Sequence, residues 1–179
     1  MNIYISLNEK GQVTGWGSTR GMDSEIEIDI EDNDPFLTDN PFIYRYLDGK
    51  LVKDESFELN RAKSEKIEEL SRECKAAILG RFVATVDGVE YLFSCDIEAQ
   101  ANFEKAEKSF AKGLITEIPW TAYDSNGKVV RVLLNQEKFE PVYIKHLEHI
   151  QNNISKFRDF LQPMVEDAQT PEEVFIIRW

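Results

Sequence analysis

The sequence of 179 residues predicts an α+β fold: a small N-terminal antiparallel β module, then a three-helix domain with β-hairpins inserted between the helices. Three observations carry this reading. Polar and apolar residues alternate through residues 1–55, apolar spacings of three and four take over from residue 57, and Asp48-Gly49, Asp87-Gly88 and Asn126-Gly127 recur as hairpin turn signals.

In the first segment Ile3, Ile5 and Leu7 alternate with polar or amphipathic neighbours. Asn8-Glu9-Lys10-Gly11 reads as a turn, and the pattern resumes from Val13 to Trp16, which makes a hairpin. Glu25-Ile26-Glu27-Ile28-Asp29-Ile30 alternates strictly, with isoleucines on one face and carboxylates on the other. Asp32-Asn33-Asp34-Pro35 is a loop, and the stretches Ile43 to Leu47 and Leu51 to Lys53 flank Asp48-Gly49. The result is four or five short strands, too few residues for a large enclosed core.

From 57 to 79 the apolar residues Leu59, Ala62, Ile67, Leu70, Cys74, Ala77 and Ile78 predict a first helix, with Gly80 as a left-handed C-terminal cap. A hairpin at Asp87-Gly88 follows. Asp96 is the expected cap of a second helix to about Lys112, which buries Ile97, Ala101, Phe103, Ala106 and Phe110. After the Asn126-Gly127 hairpin, Asn135 opens the last long helix. Its apolar residues Phe139, Tyr143, Leu147, Ile150, Ile154, Phe157 and Leu161 are spaced 4, 4, 3, 4, 3 and 4, close to a heptad seam. Pro141 predicts a kink or a restart at the first helical position, and Pro163 is expected to end the helix.

Thr170-Pro171-Glu172-Glu173 has capping-box spacing. The apolar run Val174-Phe175-Ile176-Ile177-Arg178-Trp179 is expected to pack against a neighbour in this chain or another. Acidic residues without a basic one between Gly21 and Tyr44 give way to mixed charge, which places a boundary near 54–57. The expected division is 1–55, 56–162, and a docking tail at 163–179.

Composition narrows the partners. A net charge of -12 opposes general nucleic-acid binding and adhesion to anionic membranes. It suits a chain that docks onto a basic partner. Cys74 and Cys95 make no disulfide scaffold and are expected as buried free thiols. The opening Met-Asn-Ile-Tyr-Ile-Ser does not read as a signal peptide, and no stretch approaches the roughly 20 apolar residues of a membrane span. The expectation is a soluble protein made in a cytoplasm.

Four clusters invite a chemical reading. His146 and His149, with Glu140 and Glu148 nearby, suggest a metal site, but a site needs three or four convergent ligands, so surface or interface histidines are expected. Asp29-Ile30-Glu31-Asp32-Asn33-Asp34 resembles a calcium loop but has Asp34 and Asn40 where Gly and Glu belong. Gly15-Trp16-Gly17-Ser18-Thr19-Arg20-Gly21 lacks the Lys-Ser/Thr ending of a phosphate loop. A thiol dyad of Cys74 or Cys95 with a histidine has no third member. Asn153-Ile154-Ser155 is formally a glycosylation sequon, without meaning in a chain that is not exported. No catalytic residue, cofactor site or metal site is assigned.

A family likeness enters on four stretches: Leu59-Asn60-Arg61-Ala62-Lys63 with Cys74-Lys75-Ala76-Ala77-Ile78; Cys95-Asp96-Ile97-Glu98-Ala99-Gln100-Ala101-Asn102-Phe103; Pro119-Trp120 before the Asn-Gly turn; and the helix opening at Asn135. Together they resemble a tail-associated domain of unknown function found in proteins of bacteriophages and prophages. Asn40-Pro41-Phe42-Ile43-Tyr44-Arg45-Tyr46-Leu47-Asp48-Gly49 looks like a frequent opening of phage tail proteins. The resemblance covers most of residues 1–161, leaves out the C-terminal tail and departs at Pro141.

It implies a virion or assembly role near the tail tip, fibre or baseplate, with other phage tail proteins as partners and synthesis in a host bacterial cytoplasm. The expected function is a non-enzymatic structural or accessory component. An assembly chaperone for a fibre or receptor-binding protein is the alternative, and a cell-wall glycan hydrolase using carboxylate pairs a more distant one. The seam of the last helix serves either burial within the chain or self-association as a homo-oligomer. The candidate interface residues are Trp16, Trp120, Tyr143, Leu147, Ile150, Ile154, Phe157, Phe175 and Trp179.

Overall fold

The computed structural model describes residues 1–179, apart from the side chain of Glu55. The chain divides into two compact units: Met1–Ser64 with Gln169–Pro171, and Glu65–Ala168 with Glu172–Trp179. The α+β class expected from the sequence is the one observed.

In the first unit, β1 (Asn2–Leu7) is the centre of a sheet in the order β2-β1-β3, with β2 at Val13–Gly17 and β3 at Ile26–Asp29. Both pairs are antiparallel, and Ile3 faces Ile28 as alternation requires. A second hairpin pairs β4 (Tyr44–Leu47) with β5 (Lys50–Lys53). Its turn is primed, with Asp48 at φ 50° and Gly49 at φ 82°, the twist that two-residue hairpins need. Ile3, Ile5, Val13, Ile28, Phe36, Ile43 and Tyr44 form the small core. Asp34 and Asn40 each open a short 3-10 turn by accepting from the backbone N–H two residues on. Asp34 thus acts as a turn cap.

Helix α1 spans Glu55–Ile78, so the division at Ser64/Glu65 falls inside it, not at the 55/56 composition shift. Its end differs from expectation. Gly80 is absent from the left-handed residues; a Cβ there would lie 3.0 Å from the Ala77 carbonyl oxygen, so close approach selects the glycine.

The second unit carries a four-stranded antiparallel sheet, β6-β7-β8-β9: Arg81–Val86, Val89–Ser94, Glu117–Tyr123 and Val129–Asn135. Between the two hairpins runs α2 (Ile97–Ala111), whose cap Asp96 accepts from the Ala99 N–H at 2.8 Å. Loss of that cap in Asp96→Ala is expected to lower stability by about 1 kcal/mol in urea denaturation. Phe103, Ala106 and Phe110 are buried as expected, but Ile97 is 74% exposed and Ala101 is exposed too, because both lie off the buried stripe.

Helix α3 covers Gln136–Ser155, capped by the Asn135 side chain, which accepts from the Lys138 N–H at 3.0 Å. Pro141 lies inside it without a restart and, having no N–H, makes no bond to the Glu137 carbonyl. Pro163 does not end the helical run either. A π segment, Lys156–Leu161, widens the turn ahead of α4 (Gln162–Asp167), and the Gln162 N–H reaches back to the Phe157 carbonyl. Such an i→i+5 turn re-routes bonds around a proline that cannot donate. Helix α5 (Pro171–Ile176) follows the capping-box signal. Val165, Val174 and Ile177 are buried, so residues 163–179 are not a separate tail: all but Gln169–Pro171 belong to the second unit.

Candidate functional site

The core of the second unit is aromatic. Phe82, Phe93, Phe103, Phe110 and Phe139 are buried with Val132, Leu134 and Val142, and Trp120, Tyr143 and Ile150 pack against them. Phe103 is fully buried at the centre, with ring centroids 4.4 Å from Trp120, 4.5 Å from His146 and 6.0 Å from Phe139.

This packing removes one interface candidate from the surface, Phe157, which is 3% exposed. Trp120, Tyr143 and Ile150 are half-buried and pack one side against the core. The reason is periodicity. A straight α-helix repeats every 3.6 residues and drifts about 20° per heptad. The buried face of the last helix therefore runs through Phe139, Val142, His146 and Phe157, and leaves Leu147 47% and Ile154 38% exposed. Trp16 is half exposed, edge-on to Phe36 at 5.7 Å, and Phe175 is 57% exposed. Trp179 is half-buried beneath the Lys156 ammonium, 4.5 Å from its ring centroid.

The two histidines are not surface residues either. The His149 ring lies 3.1 Å from the Ala77 carbonyl and 3.2 Å from that of Ile78 and so ties α3 to the end of α1. His146 is 3% exposed, among Phe82, Phe103 and Tyr143, with no hydrogen-bond partner for either ring nitrogen. Burial lowers its pKa, and the nearby His149 lowers it further. The one sequence signal for this is a histidine on the 3.6-residue stripe, which a count of apolar residues passes over.

Both cysteines are free and buried. Burial pushes the Cys95 thiol up to about 11 and raises Cys74 as well, which keeps both protonated at neutral pH and poorly nucleophilic. The Cys74 thiol donates to the Asn153 carbonyl at 3.4 Å. Among the described residues no group of three His, Cys, Asp or Glu side chains is placed to hold a metal ion, and no helix is long and apolar enough to cross a membrane.

A cavity of about 530 Å³ lies between α2 and β8. One wall presents Ala99, Asn102 and Ala106; the other, Ile118, Pro119, Trp120 and Thr121. Ser94, Asp96 and Arg131 stand at one end. Arg131 spans the rim, donating to the Thr121 hydroxyl and, at 2.8 Å, to the Pro119 carbonyl. Two of the stretches singled out in the sequence thus meet here: Cys95 to Phe103, which contributes Asp96 and Asn102, and Pro119-Trp120. A second opening, about 450 Å³, lies where Met164 and Ile176 face each other across α4 and α5.

These features define an α+β domain with a cleft between α2 and β8. Residues 61–178 match the family described as "Domain of unknown function (DUF4376)", and the chain belongs to that family. The match takes in the C-terminal helices and leaves out the β strands of the first unit. No curated protein matches the chain, and no solved structure does.

Proposed function

We propose that this chain is a non-enzymatic structural or accessory component of a phage tail, in the baseplate or fibre region, and works through contacts with other tail proteins. The observation that carries the contact-based part is apolar display at the C-terminal end. Phe160, Met164, Phe175 and Ile176 are 66%, 55%, 57% and 77% exposed. Met164 and Ile176 line one opening, and adjoining exposed apolar side chains are a mark of association surfaces. The tail setting rests on the four stretches quoted above.

Replacing Phe175 and Ile176 together by serine is expected to leave stability within about 0.5 kcal/mol, since exposed positions contribute little to folding. The same variant is expected to be lost from assembled particles. Mass spectrometry of purified particles, wild type against variant, reads this out. Wild-type protein missing from finished particles would assign the chain to assembly instead. Cleavage of cell-wall glycan, abolished by changing a carboxylate pair, would overturn the non-enzymatic reading.

A further inference from the structure

The sheet of the second unit is joined unevenly. β6 pairs with β7 from Arg81↔Ser94 to Val86↔Val89, and β8 with β9 from Glu117↔Asn135 to Tyr123↔Val129, yet β7 meets β8 at Leu92↔Tyr123 alone. Beyond that bridge the chain turns away through Cys95 into α2. The stretch Glu117 to Ala122 has no strand partner on that side among the described residues. Pro119 sits within it, and a residue with no N–H to give a ladder belongs on a strand edge.

The 530 Å³ cavity follows this edge. It touches four consecutive residues, Ile118 to Thr121. Successive side chains of a strand point to opposite faces, so an opening that reaches all four runs along the edge and not over one face. The facing wall is low because α2 presents Ala99 and Ala106 there.

Charge supplies the other half of the argument. Glu98 and Lys105 both line the cavity, and neither has an ion-pair partner among the described residues. They are two turns apart on α2, about 10.5 Å along the axis. Side chains on one face of an extended chain recur every second residue, so a pair four apart, about 13 Å, bridges that span.

We infer that the open edge of β8 takes up an extended peptide from another protein as an added strand, with a cationic residue facing Glu98 and an anionic one facing Lys105. Main-chain hydrogen bonds to the edge on either side of Pro119, which has no N–H and whose carbonyl already accepts from Arg131, supply affinity, and the Ile118 and Trp120 side of the cleft receives alternate apolar side chains. This stands whether or not the protein belongs to a phage tail.

The test uses the full chain and a library of terminally blocked hexapeptides read by fluorescence anisotropy. Lysine is fixed at the first position and glutamate at the fifth, in both polarities, with the other four positions varied among Val, Ile, Thr and Tyr. One polarity is expected to bind. Binding is expected to weaken at least about tenfold in Ala99→Trp, which fills the cleft, and for peptides N-methylated at alternate backbone nitrogens. The paired exchange Glu98→Lys with Lys105→Glu, both surface changes that keep the fold, is expected to reverse the preferred polarity. No binding by either polarity overturns the inference, as does equal binding of N-methylated peptides or a polarity the exchange does not alter. A dimer that Ala99→Trp abolishes assigns the edge to a second copy and also overturns it.

Discussion

Phe103→Ala is expected to destabilise the protein by about 3–5 kcal/mol, the usual cost of deleting a buried phenylalanine ring. Phe103 is fully buried, and its ring meets those of Phe82, Trp120, Phe139, Tyr143 and His146. It joins α2 to the sheet and to α3, so one truncation removes packing from three elements at once. Urea denaturation followed by far-UV circular dichroism measures the loss. Phe103→Leu, which keeps most of the apolar volume, is expected to cost less. A Phe103→Ala loss below about 1 kcal/mol would mean that the ring is not the centre of the core.

The second large effect is a pH dependence centred on His146. Its pKa lies below the ordinary 6.5 because burial disfavours the charged ring, with His149 adding to the shift and Glu104 opposing it. The unfolded chain takes up the proton first. Stability from the neutral ring is therefore full above about pH 6.5 and declines as pH falls from there towards the lowered folded value.

His146→Phe puts a ring without unpaired nitrogens into the same aromatic shell. It is expected to match or exceed the wild type by about 1 kcal/mol at neutral pH, since no buried polar atom is left unsatisfied. The variant should also lose the wild type's acid sensitivity between pH 7 and pH 5. Denaturant midpoints at the two pH values decide this by difference, which cancels the carboxylates common to both proteins. Equal slopes for variant and wild type would contradict the role given to His146.

Much of the fold was readable because its signals are local. The primed turns at Asp48-Gly49 and Asp87-Gly88 need positive φ at both central positions, and both have it. Asp96 and Asn135 cap the helices they were expected to cap. What failed was the seam of the last helix. A seven-residue count keeps Leu147 and Ile154 in register, while the straight helix turns them towards solvent and brings in His146, a polar residue that apolar counting passes over. Pro163 misled because a π turn upstream lets helix continue past it.

The cleft was less legible still. Its pieces were noticed, Asp96 to Asn102 and Pro119-Trp120, but not that they face one another. That depends on β7 and β8, which are separated in sequence by α2, and on where their pairing stops. The one local hint was a proline within a stretch patterned as a strand.

Cross-linking mass spectrometry on purified tailed particles tests the central claim most directly. The account predicts that the chain is recovered from the particle and linked to a tail protein through Lys105 at the β8 cleft or through the lysine nearest the C-terminal apolar end, Lys156. Its absence from the particle, or its presence without links at either surface, would contradict that account.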